Sequence, residues 1–193
     1  MLTTEAAMQT LVESGAVLTG HFLLTSGRHS NQYVEKFRLL ERPDLTERLL
    51  SDLARRFRSM NVEVVLGPAV GGIIVAYEMA RQLGVRAVFA EREGGRLTLR
   101  RGFRLRPGER CLVVEDVVTT GGSVREAVAV AQRAGGDVAG VALLVDRSGG
   151  RALNLGVPVE YLVAFEAPSW DPAECPLCRQ GVPLEHRGSR DLL

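Results

Sequence analysis

The chain has 193 residues, 24 lysines and arginines against 23 aspartates and glutamates, and a formal net charge of +1. That balance provides no electrostatic footprint for nucleic acid, and no apolar run approaches the length of a membrane span. With 46% hydrophobic residues the chain is expected to fold as one well-buried α/β domain, residues 1–193, with a small cap and no disordered tail.

The first residues, MLTTEAAMQTLVESGAV, carry acids at helical spacing and not a basic stretch followed by an apolar one, so no signal peptide is expected. Residues 3–14 predict an amphipathic helix stopped at Gly15. Two extended segments follow, Gly20–Leu24 and Gln32–Lys36, joined by Thr25-Ser26-Gly27-Arg28-His29-Ser30. Pro43 opens a second helix with Leu45, Leu49, Leu50, Leu53 and Phe57 on one face. From there the pattern alternates. Strand Val62–Leu66 leads through Gly67-Pro68-Ala69-Val70-Gly71-Gly72 into helix Ile73–Leu83. Strand Arg86–Ala90 precedes a stretch rich in glycine and arginine that runs to Gly108. Strand Arg110–Glu115 leads to helix Ser123–Ala134, ended by Gly135-Gly136. Strands Val138–Val145 and Val159–Ala164 close the series. Such alternation predicts a doubly wound, mostly parallel sheet with flanking helices. Residues 1–40 and part of the C-terminal tail fit it poorly and are expected to form a hood or cap.

The most informative stretch is Cys111–Ser123, CLVVEDVVTTGGS. An apolar, β-branched run ends in Glu115 and Asp116; a turn of hydroxyls and glycines (Thr119, Thr120, Gly121, Gly122, Ser123) then opens a helix. Ligands of parallel sheets sit beyond the carboxyl ends of the strands, where the two acids are expected. The first turn of a helix presents unpaired N–H groups, and glycines let a phosphate approach them. The acids would repel that phosphate and suit a neutral diol or Mg²⁺ instead. A strand with an acidic cap followed by a plain Thr/Gly turn is the simpler alternative for any one of these residues. No Gly-Lys-Ser/Thr follows, so the turn is not a Walker loop. The junction Gly67–Gly72 repeats the same logic as a main-chain nest, although alone it reads as a tight turn. Residues 91–106 hold Arg92, Arg96, Arg100, Arg101, Arg104 and Arg106; in isolation they read as a solvated hairpin. Asp146-Arg147-Ser148 ends a strand, and an arginine there can hold a carboxylate bidentately.

The run hydrophobic-Glu115-Asp116-x-x-Thr119-Thr120-Gly121-Gly122-Ser123 resembles the phosphoribosyl-diphosphate signature of the type I phosphoribosyltransferases. The segment from Gly20 to Ser30, followed by Tyr33, resembles the hood of the orotate-specific members, although many of these carry lysine where this chain has Thr25. The resemblance implies transfer of a 5-phosphoribosyl group from phosphoribosyl diphosphate to orotate, in pyrimidine biosynthesis. It implies a donor site made of Arg92, Arg96, Glu115, Asp116, Val117, Val118, Thr119, Thr120, Gly121, Gly122, Ser123, Gly71 and Gly72. It implies orotate contacts from Thr119, Arg147, Tyr33 and Val34, and catalysis by Glu115, Asp116 and Arg96, the last on a mobile basic loop. The same resemblance implies Mg²⁺ carried by the substrate, with Asp116 as a candidate ligand, and a homodimer. A purine phosphoribosyltransferase, or a regulator sensing phosphoribosyl diphosphate with the same fold, is the alternative.

Three cysteines without an export signal are expected reduced, in a cytoplasm. Cys175-Pro176-Leu177-Cys178 is half of a zinc site. By residue type, His186 and Cys111 remain to complete it, with Cys111 expected inside a strand; two copies of the motif meeting in a dimer are the other route. His21 and His29 read as loop or packing residues.

Overall fold

The computed structural model describes residues 2–24, 26–148 and 153–187. Helix α1 (Thr4–Glu13) is capped by the Thr3 hydroxyl, which accepts from the amide of Ala6, and strands β1 (Val17–Leu23) and β2 (His29–Val34) follow as an antiparallel pair. Thr25, in the link between them, lies outside the described residues. A short helix α2 (Lys36–Leu40), where the sequence pattern predicted only an extended end, precedes α3 (Pro43–Arg55). The cause is local: Glu35 turns its carboxylate back to accept from the Phe37 amide, which caps a helix too brief to show periodicity. Phe57 lies just past α3 yet is fully buried.

Strand β3 (Val64–Pro68), helix α4 (Gly71–Leu83) and strand β4 (Arg86–Glu93) form the first parallel crossover. Strand β5 (Arg96–Leu99) then folds back antiparallel on β4, with Glu93 opposite Arg96. Gly94 and Gly95 make that turn with φ of +57° and +79°, conformations that disfavour any side chain. Strand β6 (Arg110–Val118), helix α5 (Gly122–Arg133), β7 (Asp137–Asp146) and β8 (Val159–Ala164) complete a sheet of order β5-β4-β3-β6-β7-β8. All pairings except β4–β5 are parallel. The tail adds β9 (Ser169–Trp170), helix α6 (Pro176–Arg179) and β10 (Glu185–His186). Its two short strands flank the first hairpin in a second sheet, β10-β1-β2-β9.

Alternation along the central strands divides the core between the two faces of the large sheet. Val65, Leu112, Val114 and Leu144 face a cluster with Leu49, Leu53 and Phe57 and with Met79 of α4. Leu66, Val113, Val141 and Leu143 face the other side, covered by Val124, Ala127 and Ala131 of α5. The chain runs outward from β3 to β4, then returns to lay β6 on the opposite side of β3. The strand order therefore reverses between β3 and β6, the place where open α/β sheets bind ligands.

Candidate active site

Two strand ends meet at that reversal. Leu66 of β3 is registered against Val113 of β6, so the loop 67–72 and the acid pair leave the sheet side by side. The expected end of β6 needs correction. The strand does not stop at Glu115; it continues to Val118, with Val117 paired to Val145 and Val118 to Asp146. Val117 and Val118 are β-branched and keep their place on the β7 ladder. Glu115 and Asp116 thus lie inside a strand, 7% and 1% exposed, and not on an open loop.

Burial shapes the electrostatics of the pair. Loss of solvent, reinforced by the adjacent Asp116 charge, drives Glu115 well above the usual carboxylate range, with Lys36 partly offsetting it. Asp116 is matched by a cation that the sequence reading did not single out: Lys36 Nζ lies 2.7 Å from Asp116 Oδ2. Burial opposes the Lys36 charge, but Asp116, by charge and hydrogen bonding, and Glu115 outweigh it and raise the lysine. Eighty residues separate the partners along the chain, and no local pattern marks such a pair. Gly71 completes the contact, because a Cβ there would collide with the Asp116 carboxylate. Gly67 is likewise required, since a Cβ would strike the Gly72 carbonyl. The glycines at 67 and 71 therefore serve close packing of the 67–72 loop against itself and against the acid. The Ala69–Val70 peptide in this loop is cis.

Both helices that start here have open N-termini. Neither Val70, before α4, nor Gly121, before α5, supplies a capping side chain. Gly121 sits at φ +77°. Thr119, Thr120, Gly122 and Ser123 are exposed around the start of α5. Two uncapped helix starts at neighbouring strand ends offer N–H groups to anionic oxygens, beside two carboxyl groups suited to hydroxyls.

Arg147 is anchored next to this turn, its amide donating to the Val118 carbonyl at 2.7 Å. Its Nε is buried and has no hydrogen-bond partner among the described residues. Burial lowers its pKa, with Tyr33 pulling the other way. A buried guanidinium N–H with no acceptor is costly unless an anion arrives. Tyr33, half-exposed on β2, is close enough for its phenol to sense both Arg147 and Lys36, although burial and Glu35 raise it overall. Val34 instead turns its side chain into the hydrophobic cluster, leaving only main-chain atoms for any ligand.

The basic stretch is an ordered hairpin whose arginines are mostly occupied. Arg92 pairs with Glu126 of α5 at 2.7 Å. Arg100 and Arg101 pair with Glu91, and Arg106 with Glu63 and Glu109. Arg96 is exposed and has no ion-pair partner among the described residues.

Comparison with known proteins agrees with this geometry. The phosphoribosyl transferase domain family matches residues 39–171. An orotate phosphoribosyltransferase of Pelotomaculum thermopropionicum is 53% identical over 99% of this chain and 100% of its own length. Among solved structures, an orotate phosphoribosyltransferase from Aeropyrum pernix is 29% identical, with a TM-score of 0.67 over 81% of this chain and 92% of its own. UMP synthase of Leishmania donovani is 25% identical and superposes with a TM-score of 0.70 over 84% of this chain; the match spans 36% of that longer protein. The chain belongs to the phosphoribosyltransferase family, and within it to the orotate phosphoribosyltransferases.

Proposed function

We propose that the protein transfers the 5-phosphoribosyl group of phosphoribosyl diphosphate to N1 of orotate, giving orotidine 5′-phosphate and diphosphate. The observation that carries this reading is the buried acid pair between two uncapped helix starts, with the unsatisfied Arg147 beside them. In this reading the 5-phosphate occupies the turn Thr119–Ser123 and the diphosphate occupies the 67–72 nest. Asp116 and Glu115 hold the ribose hydroxyls, and the Asp116 carboxylate stabilises positive charge as it grows on the ring, as a carboxylate does beside an oxocarbenium ion. Arg147 receives the orotate carboxylate and Tyr33 borders the base. Orotate is itself the anionic nucleophile, so no covalent intermediate is required.

The all-oxygen donor set at the acid pair fits Mg²⁺ in type. Two carboxylates, one already matched by Lys36, are too few to hold the ion alone, so it would arrive with the substrate's oxygens, Asp116 adding at most one ligand. When bound, Mg²⁺ supplies neutralisation of charge on the leaving diphosphate. Arg96 adds to that neutralisation if the hairpin moves over the site, and Arg92 can join once it exchanges Glu126 for a phosphate oxygen.

A homodimer belongs to the same reading. Val70, Ile74 and Tyr77 project 69%, 38% and 67% exposed from the start of α4, beside a depression of about 190 Å³ lined by Tyr77, Phe89 and Phe103. An apolar face of this kind is usually covered. A cytoplasmic location, where cysteines stay reduced, belongs to the same reading.

A panel of bases tests the assignment. With phosphoribosyl diphosphate and Mg²⁺, orotate is expected to be consumed at least about 100-fold faster than uracil, adenine or hypoxanthine, because only orotate brings a carboxylate to Arg147. Preferential consumption of adenine or hypoxanthine would favour a purine enzyme, and no turnover with any base would favour a sensor.

A further inference from the structure

The strongest unassigned cluster lies away from the acid pair, where the tail meets the first hairpin. His21 Nε2 and His29 Nδ1 are 3.0 Å apart. Cys175 Sγ lies 3.4 Å from His21 Nε2, and Cys178 Sγ lies 3.7 Å from the same atom and 3.2 Å from His29 Nδ1. All four atoms fall within 4.8 Å of one another. Tetrahedral zinc with bonds of roughly 2.0–2.1 Å to nitrogen and 2.3 Å to sulfur requires ligand–ligand edges of about 3.3–3.8 Å. The observed separations bracket that range with no side chain rebuilt.

The backbone explains why the four atoms converge. Leu23 pairs with His29 across the hairpin, His21 sits beside the register shift that falls between Thr19 and Phe22, and the two imidazole rings meet edge to face with centroids 4.9 Å apart. Cys175 and Cys178 flank one helical turn, in which the Arg179 amide donates to the Cys175 carbonyl, and the i, i+3 spacing brings both thiols to one face. The turn also provides the outer support common to metal-bound histidines. Past Gly181, at φ +69°, the Val182 carbonyl accepts a hydrogen bond from His21 Nδ1 at 2.8 Å. A carbonyl can only accept, so the proton resides on Nδ1 and the Nε2 lone pair points at the cluster.

We propose that His21, His29, Cys175 and Cys178 form a structural Cys₂His₂ zinc site that fastens the C-terminal tail to the β1–β2 hairpin. On binding, each thiol releases one proton and both imidazoles bind neutral, so two thiolates balance the 2+ ion and the centre carries no net charge. Neutrality suits its position, because His21, His29 and Cys175 are 2%, 5% and 0% exposed, with Cys178 at the rim. Four protein ligands leave no open position, which separates this site from any catalytic metal. The strands it joins need such a fastening, since β9 and β10 are two residues each. The ligands differ from those expected from the sequence. Cys111 is buried in β6 within the large sheet, and His186 is exposed on β10; neither joins the four. A pairing of two tail motifs across a dimer is not needed.

The test is metal content and cobalt spectroscopy on the full chain. Protein purified without chelator is expected to carry one zinc per chain. After chelation and loading with Co²⁺, it is expected to show thiolate-to-metal charge transfer and the d–d bands of a tetrahedral site. Cys178→Ser and His29→Ala are expected to lose these bands and to bind zinc at least about 100-fold more weakly, while Cys111→Ser keeps both. Removing zinc from the wild type is expected to lower Tm by about 10 °C and to expose the tail to protease. Substoichiometric zinc with no tetrahedral cobalt bands in the folded wild type would overturn the proposal. So would a Cys175–Cys178 disulfide in protein isolated under reducing conditions, or full zinc retention by the Cys178→Ser and His29→Ala variants.

Discussion

Glu115 and Asp116 are neighbours in one strand with opposite fates: Lys36 compensates Asp116, while burial and Asp116 itself work against Glu115. A carboxyl whose folded pKa lies above its unfolded value stays protonated when the unfolded chain has already ionised. Stability therefore falls as pH rises from the unfolded pKa of 4.5 toward the folded one. Glu115→Gln removes that loss, and its Tm at pH 8 is expected to exceed the wild type's by a few degrees, while turnover falls at least about 10-fold. Thermal scans from pH 5 to 9 check the first part; a variant whose Tm tracks the wild type at every pH would refute it. Arg147 offers a complementary prediction. Losing a charge-assisted contact worth about 1.5–3 kcal/mol, Arg147→Ala is expected to raise the KM for orotate about 10- to 100-fold with little change in the affinity for phosphoribosyl diphosphate. Equal losses for both substrates, measured by steady-state kinetics and calorimetry, would remove it from the base pocket. Arg147 was legible in the sequence as a cation at a strand end, because position alone marks it. Lys36 was not legible, since its meaning depends on a carboxylate 80 positions away.

At the scale of elements, the parallel strands and the helices after β3 and β6 were readable from periodicity, and β8 occupies the predicted span. The missed features are those held by partners. Val117 and Val118 join β6 because β7 is alongside. Strands β9 and β10, at two residues each, have no periodicity to read. Residues 96–99 pair with β4, in keeping with the solvated hairpin that the stretch suggests in isolation, although no strand was marked there. The base of this hairpin is held by Glu109, which accepts from Arg86 Nε and Nη2 at 3.0 and 2.6 Å and from the Arg106 amide at 2.8 Å. Arg86, by hydrogen bonding and then by charge, and the Arg106 contacts hold the Glu109 carboxyl at about 2 against the cost of its burial. A depressed folded pKa stabilises fully above the unfolded value of 4.5 and is lost as pH falls through the folded one. Between pH 4.5 and about 2, Glu109→Gln is therefore expected to lose stability less steeply than the wild type, while at pH 7 it is less stable by about 1–3 kcal/mol, with the half-exposed Arg86 limiting the effect. Urea denaturation across that range decides; parallel pH profiles would contradict it.

At the scale of the whole molecule, a central sheet places two loops side by side, and a second sheet adds the tail's two short strands to the edges of the first hairpin. Segments some 150 residues apart meet to build that second sheet, so its pairing and register had no local pattern to mark them; the sequence offered only the poor fit of residues 1–40 and part of the tail to the alternation, which set them aside as a hood or cap. The exposed apolar residues of α4 make an assembly prediction. Tyr77→Glu is expected to convert a dimer to a monomer in light-scattering measurements at micromolar concentration, while leaving the far-UV spectrum unchanged. A wild type that is already monomeric would contradict the dimer.

The central claim is that the buried acid pair and the adjoining hydroxyl-rich turn hold the sugar donor. A crystal structure of the protein with phosphoribosyl diphosphate and Mg²⁺ tests it most directly. The account predicts the 5-phosphate within hydrogen-bond distance of the amides of residues 119–123, the ribose hydroxyls on Glu115 and Asp116, and the diphosphate over Gly71 and Gly72. A donor bound elsewhere, or one bound there with its hydroxyls turned away from both carboxylates, would contradict it.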